Sequence, residues 1–246
     1  MPNDEETGEA RTIELQTADG AMPLYEVEPA GGTAERAVIV IQEAFGVNDH
    51  IEDVTRRFAA LGYLAVAPHV FHRTGGGTVD YDRFDLVMPH FAEISDAGLL
   101  TDIDATIAHV TGRGISAEHI GIVGFCMGGR VSFLVASRRR VGAAVGFYGG
   151  GILKGRSEAL APLADDVAQM NTPWLGLFGD LDEGIPIEEV EELRRRLAES
   201  APVETEIVRY PDAGHGFHCD KREAYHEASA RDGWARTVAW FERFLA

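Results

Sequence analysis

The stretch GIVGFCMGG, residues 121–129, decides how the rest of the chain is read. It ends an apolar run of the length a buried strand needs, and the glycines around Cys126 let the backbone turn where a side chain would collide. A helix pattern, MGGRVSFLVASRR, follows at once. Cys126 therefore belongs on a strand-to-helix turn that lifts its side chain above the strand ends. GFCMG fits the G-x-C-x-G form of a nucleophile elbow, with cysteine in place of serine, and the helix N-terminus beneath it favours a thiolate. The plain alternative is a small buried cysteine, the usual fate of that residue type.

The flanking sequence supplies the context such a turn requires. TIELQTAD and AMPLYEVE alternate apolar and polar residues around Gly20, which predicts an antiparallel hairpin over residues 12–28. AVIVIQE is a continuous apolar run suited to a strand buried on both faces. IEDVTRRFAALG predicts a helix that buries Ile51, Val54, Phe58 and Leu61 and ends on Gly62. Strand patterns then recur at YLAVAPHV, HIGIVGF, AAVGFYGG, PWLGLFGD and VETEIVRYP. Helix patterns recur at GLLTDIDATIAHVTGRG, IPIEEVEELRRRLAES and, from Arg222 onward, the C-terminal REAYHEASARDGWARTVAWFERFLA. The alternation predicts an α/β fold: a mostly parallel central sheet, an antiparallel N-terminal hairpin, and helices on both faces. A flexible acidic tail is expected over residues 1–10 and a single domain over 11–246. The segment between His69 and Asp96 is longer than a typical connection and reads as a cap or binding loop.

Composition removes several classes of function. With 22 basic against 40 acidic residues the formal charge is −18, a field that repels nucleic acid and anionic membranes. No apolar run reaches the length of a membrane span, and MPNDEETGEA lacks the apolar centre of a secretory signal, so a soluble cytoplasmic protein is expected. Cys126 and Cys219 are the only cysteines, too few for a disulfide framework. No CxxC or paired metal-ligand spacing is present, and the chemistry implied by the elbow needs neither metal nor cofactor. A monomer and a homodimer are both compatible with the sequence.

A cysteine nucleophile needs a base, and in elbow enzymes the acid and then the histidine follow in chain order. YPDAGHGF offers His215 on a glycine-flanked loop after the last strand, with His218 as competitor. LFGDLDEGIP offers Asp180, Asp182 and Glu183 after the preceding strand; Asp182, further out on the turn, is preferred to orient the imidazole. The same acids would also serve as turn or helix-start residues. Glu43, at the end of VIVIQE, is a carboxylate on an apolar strand and calls for a partner or a role. The backbone N–H groups of Ala44 and Met127 stand where an oxyanion hole is made in this architecture.

With these pieces in place the chain resembles the dienelactone hydrolase family of α/β-hydrolases, from about Ile13 to Leu245. The likeness rests on five ordered blocks: IQEAFGVNDHIEDVTRRFAALGYLAVAP, GFCMGGRVSFLVAS, FYGGGI, GDLDEGIP and DAGHGF. The resemblance implies an α/β-hydrolase fold, a triad of Cys126, Asp182 and His215, and a role for Glu43 in deprotonating the resting thiol. It implies a pocket aromatic at Tyr148 and hydrolysis of a small ester or lactone through a thioester acyl-enzyme. One departure stands out: the family arginine that grips the substrate carboxylate, four residues after the catalytic histidine, is Cys219 here. Arg73, Arg83 and Arg130 are the substitutes weighed. A general carboxylesterase or thioesterase, and a redox-sensing scaffold that pairs Cys126 with Cys219, are the rival readings.

Overall fold

A computed structural model describes residues 7–246. Its eight strands form one sheet in the order β1-β2-β4-β3-β5-β6-β7-β8. The strands are β1 (Thr7–Thr17), β2 (Gly20–Pro29), β3 (Ala37–Ile41), β4 (Leu64–Pro68), β5 (Ile120–Phe125), β6 (Ala143–Phe147), β7 (Trp174–Gly179) and β8 (Thr205–Tyr210). β1 pairs antiparallel with β2 and β2 with β4, whereas β3–β4, β6–β7 and β7–β8 are parallel. The expected hairpin and mostly parallel sheet are therefore present. β1 begins at Thr7, so residues 7–10 of the expected tail belong to a strand; residues 1–6 of it lie outside the described residues.

The chain divides into two compact units, one ending at Gly121 and the other beginning at Ile122. In the first, helix α1 (Asp49–Ala60) packs on β2, β3 and β4. Asn48 starts it by accepting the Ile51 N–H on its side chain at 3.3 Å, which satisfies one of the donors a helix start leaves orphaned. Ile51, Val54 and Phe58 are fully buried, as the spacing predicts. Leu61 is not: the helix stops at Ala60, so Leu61 becomes the cap residue and is 44% exposed. The long segment after β4 is not structureless. It holds a 3₁₀ turn at His72–Thr74, another at Phe84–Leu86 and the short helix α2 (Met88–Ala92) before α3 (Asp96–Gly112).

In the second unit, α4 (Met127–Arg138) packs on β6 and β7, α5 (Ile187–Ser200) on β8, and α6 (Glu227–Phe244) on β6 and β7. The connection between parallel β6 and β7 contains a 3₁₀ segment, Ala164–Gln169, where most such crossovers carry an α-helix. The C-terminal helix begins at Glu227 rather than Arg222. Residues 216–226 instead form a closed loop in which the N–H of Cys219 donates to Gly216, that of Arg222 to Cys219, and that of His226 to Phe217. Among the described residues, no helix is long and apolar enough to cross a membrane.

Candidate active site

The turn between β5 and α4 puts Cys126 at φ 55° and ψ −113°, a conformation that side chains other than glycine rarely take. The glycine at 124 is obligatory, because a Cβ there would lie inside the carbonyl group of Gly128. Cys126 is half-buried and Met127, the first residue of α4, is 7% exposed. As a first-turn residue, Met127 has an N–H with no intrahelical acceptor.

The Cys126 sulfur lies 3.1 Å from Nε2 of His215, and Nδ1 of the same ring lies 2.6 Å from Oδ2 of Asp182. Three side chains from three separate strand ends thus form one hydrogen-bonded line. Asp182 is 4% exposed, and its other oxygen accepts the Gly184 N–H at 2.9 Å, so the carboxylate is fixed at both ends. Burial alone would hold the His215 ring neutral. The Asp182 carboxylate and the Cys126 sulfur outweigh burial, and the pKa of His215 rises from 6.5 to about 10.

The three acids differ in contacts the sequence does not display. Arg209 on β8 takes Asp180 in a two-pronged ion pair, 2.7 Å at each oxygen, and reaches Glu191 at 2.8 Å. Glu183 points to solvent. Only Asp182 meets the imidazole.

Tyr148 is fully buried, and its ring stands edge-on to that of His215 at 5.1 Å. Its φ of 38° is the other positive value outside glycine among the described residues. His218 is 4% exposed and packs between the rings of Phe125 and Phe147 at 5.0 and 4.9 Å. Cys219 is fully buried, and neither it nor Cys126 is in a disulfide. Arg130 is 2% exposed and donates to the carbonyls of Gly151 and Ala161.

Four of the expected site residues lie in the other unit. Glu43 is fully buried and Ala44 2% exposed, on a tight turn that closes through a bridge between Glu43 and Gly46. Arg73 grips Asp102 with two nitrogens at 2.8 and 2.9 Å, holds Asp19 and donates to the Gly98 carbonyl. Arg83 is exposed and paired with its neighbour Asp85. Both guanidinium groups, read as substitutes for the missing arginine, are therefore committed elsewhere. Arg222 is not legible from local pattern: its guanidinium covers Gly216, the residue after His215, and the fold of the 216–226 loop brings it there.

A mostly parallel sheet with helices around it and a side chain raised on a strand-to-helix elbow defines an α/β-hydrolase fold. The model of the Dienelactone hydrolase family matches residues 22–245, and the chain belongs to that family. A protein of Salmonella typhimurium is 41% identical over 227 residues, 91% of this chain and 83% of its own. The carboxymethylenebutenolidase of Rhodococcus opacus is 32% identical over 240 residues, 95% of this chain and 92% of its own. A crystal structure from Klebsiella pneumoniae, 35% identical, superposes with a TM-score of 0.83 over 96% of this chain and 99% of that one.

Proposed function

We propose that this protein is a hydrolase of small esters or lactones that works through Cys126, His215 and Asp182. The reading rests on a single imidazole hydrogen-bonded at one nitrogen to a thiol and at the other to a buried carboxylate. The sulfur, as thiolate, attacks the carbonyl carbon; an S–C bond forms and the carbonyl electron pair moves onto oxygen. The Met127 N–H stabilises that oxyanion, and the Ala44 N–H is the second donor the chemistry calls for. When the tetrahedral species collapses, the C–O bond breaks and imidazolium His215 protonates the departing oxygen. In a lactone that oxygen stays tethered to the acyl group. Water then gives a proton to the neutral imidazole and attacks the thioester, and the acid leaves as the thiolate is restored. Asp182 holds the ring in its working tautomer, and Glu43 assists the resting thiol to ionise.

The Rhodococcus opacus relative is named for opening a carboxymethylene-substituted butenolide, which favours an enol lactone as substrate here over a general carboxylesterase or thioesterase role. The family match covers parts of both packing units, which supports reading residues 11–246 as one catalytic domain. A cytoplasmic enzyme, working as a monomer or homodimer, fits the composition. Turnover of an enol lactone, an aryl ester and an acyl thioester by the wild type and by Cys126→Ala tests the proposal. The variant is expected to lose about 10⁴-fold or more in kcat while keeping its fold. Undiminished turnover by Cys126→Ala rejects the mechanism, and a thioester preferred over the lactone rejects the substrate class.

A further inference from the structure

Gln42 ends the apolar run of β3 and is fully buried, next to Glu43. Its side-chain amide donates to the backbone carbonyl of Glu43 at 3.2 Å, and its own Oε1 has no hydrogen-bond partner among the described residues. An amide half-satisfied in a dry interior costs on the order of 1–3 kcal/mol, and an apolar residue of the same length would avoid that cost. The one bond it does make has a definite mechanical result. The Glu43–Ala44 peptide is planar and trans, so its C=O and N–H point in opposite directions as one rigid unit. Holding the Glu43 oxygen therefore aims the Ala44 N–H. That N–H makes no hydrogen bond among the described residues. The far side of the turn is tied separately: the Val79 N–H donates to the Phe45 carbonyl at 3.1 Å, and the rings of Phe45 and Tyr81 meet edge-on at 4.7 Å.

We infer that Gln42 is a positioning residue, whose amide fixes the Glu43–Ala44 peptide so that the Ala44 N–H is ready for the developing oxyanion. The inference rests on the hydrolase reading above, in which Ala44 is an oxyanion donor. It predicts a defect confined to the transition state, because the hydrogen bond of Gln42 goes to the Glu43 carbonyl and acts through that peptide.

The test compares Gln42→Leu and Gln42→Met, two variants of similar size that remove the donor, with the wild type and Cys126→Ala. An aryl ester, its thiono analogue and iodoacetamide are the probes. The expected kcat on the ester falls about 10- to 100-fold with KM within about threefold, less than the loss of a whole donor. The thiono analogue, whose sulfur gains little from an oxyanion donor, slows less, so the ester-to-thionoester rate ratio drops about tenfold. Alkylation of Cys126 by iodoacetamide, which forms no oxyanion, stays within about twofold. An unchanged kcat in both variants, with Cys126→Ala inactive, overturns the role of Gln42 and leaves the hydrolase reading standing. Parallel losses of kcat and alkylation, or an unchanged rate ratio, overturn it in favour of a general structural role. Full activity of Cys126→Ala removes the hydrolase mechanism and this inference with it.

Discussion

Two carboxylate–imidazole pairs in this molecule have the same separation and opposite settings. Asp182 and His215 lie 2.6 Å apart, and so do Glu26 and His109. Glu26, with a fully buried side chain on β2, also takes Arg11 at 2.6 Å and Arg113 at 3.0 Å. Burial pushes the Glu26 pKa up, but His109 and the two guanidinium groups overcome it and bring the value down to about 2. Among the described residues the Asp182 carboxylate meets no guanidinium, only the ring and the Gly184 N–H, and its histidine reaches a sulfur with the second nitrogen. A third pair, His72 and Asp102 at 3.0 Å, follows the Glu26 pattern, since Arg73 holds the same carboxylate. An acid beside a histidine is thus an ordinary structural joint. In the mechanism proposed above it becomes chemical machinery, where the acid is left to the ring alone and the ring reaches the proposed nucleophile.

The sharpest way to break the comparison is to exchange acids within the second unit. Asp182→Ala is expected to lower kcat by about 10³- to 10⁴-fold, whereas Asp180→Ala, which only frees Arg209, changes it by less than about threefold in steady-state assays. The reverse order would move the orienting role to Asp180. Next, Asp102→Ala should lower the free energy of urea unfolding by about 3–5 kcal/mol, because it removes the fully buried acid that holds the buried His72 ring and the partly buried Arg73. Its kcat per folded molecule should stay within about twofold.

The pH edges of stability separate the pairs further. Glu26 has a depressed pKa, so its contribution is full above about 4.5 and is lost as pH falls through about 2. His215 has a raised pKa, so its contribution is full below about 6.5 and is lost as pH rises through about 10. Thermal melts across pH should show Glu26→Gln flattening the acid slope alone and His215→Gln the alkaline slope alone. The smallest effect is expected at Arg83→Ala: its exposed pair with Asp85 is screened by water, and KM for an anionic lactone should move by less than about twofold.

Much of this was legible from local pattern. Strands β3 to β7 read as apolar runs because each is buried on both faces, and the elbow announced itself through glycines that backbone collisions require. His215 was legible for the same reason, as a glycine-flanked residue just past a strand. What escaped depends on partners distant in sequence. Asp180 and Asp182 differ only by a turn of chain until Arg209, 29 residues on, claims the first. Helix formers from Arg222 onward predict a start of α6 there, yet four backbone hydrogen bonds close residues 216–226 into a loop. Leu61 fitted the helical spacing, but the helix ended one residue too early to bury it. Arg73 and Arg83 looked available because a one-dimensional string does not show that Asp102 and Asp85 already hold them.

The backbone angles at Cys126 carry a consequence for stability. Glycine would occupy φ 55°, ψ −113° without the penalty, on the order of 1–3 kcal/mol, that a side chain incurs there. Replacing the elbow residue by glycine should therefore yield a more heat-resistant, inert protein. Under the proposed mechanism the turn keeps a strained side chain because its sulfur is the reacting group.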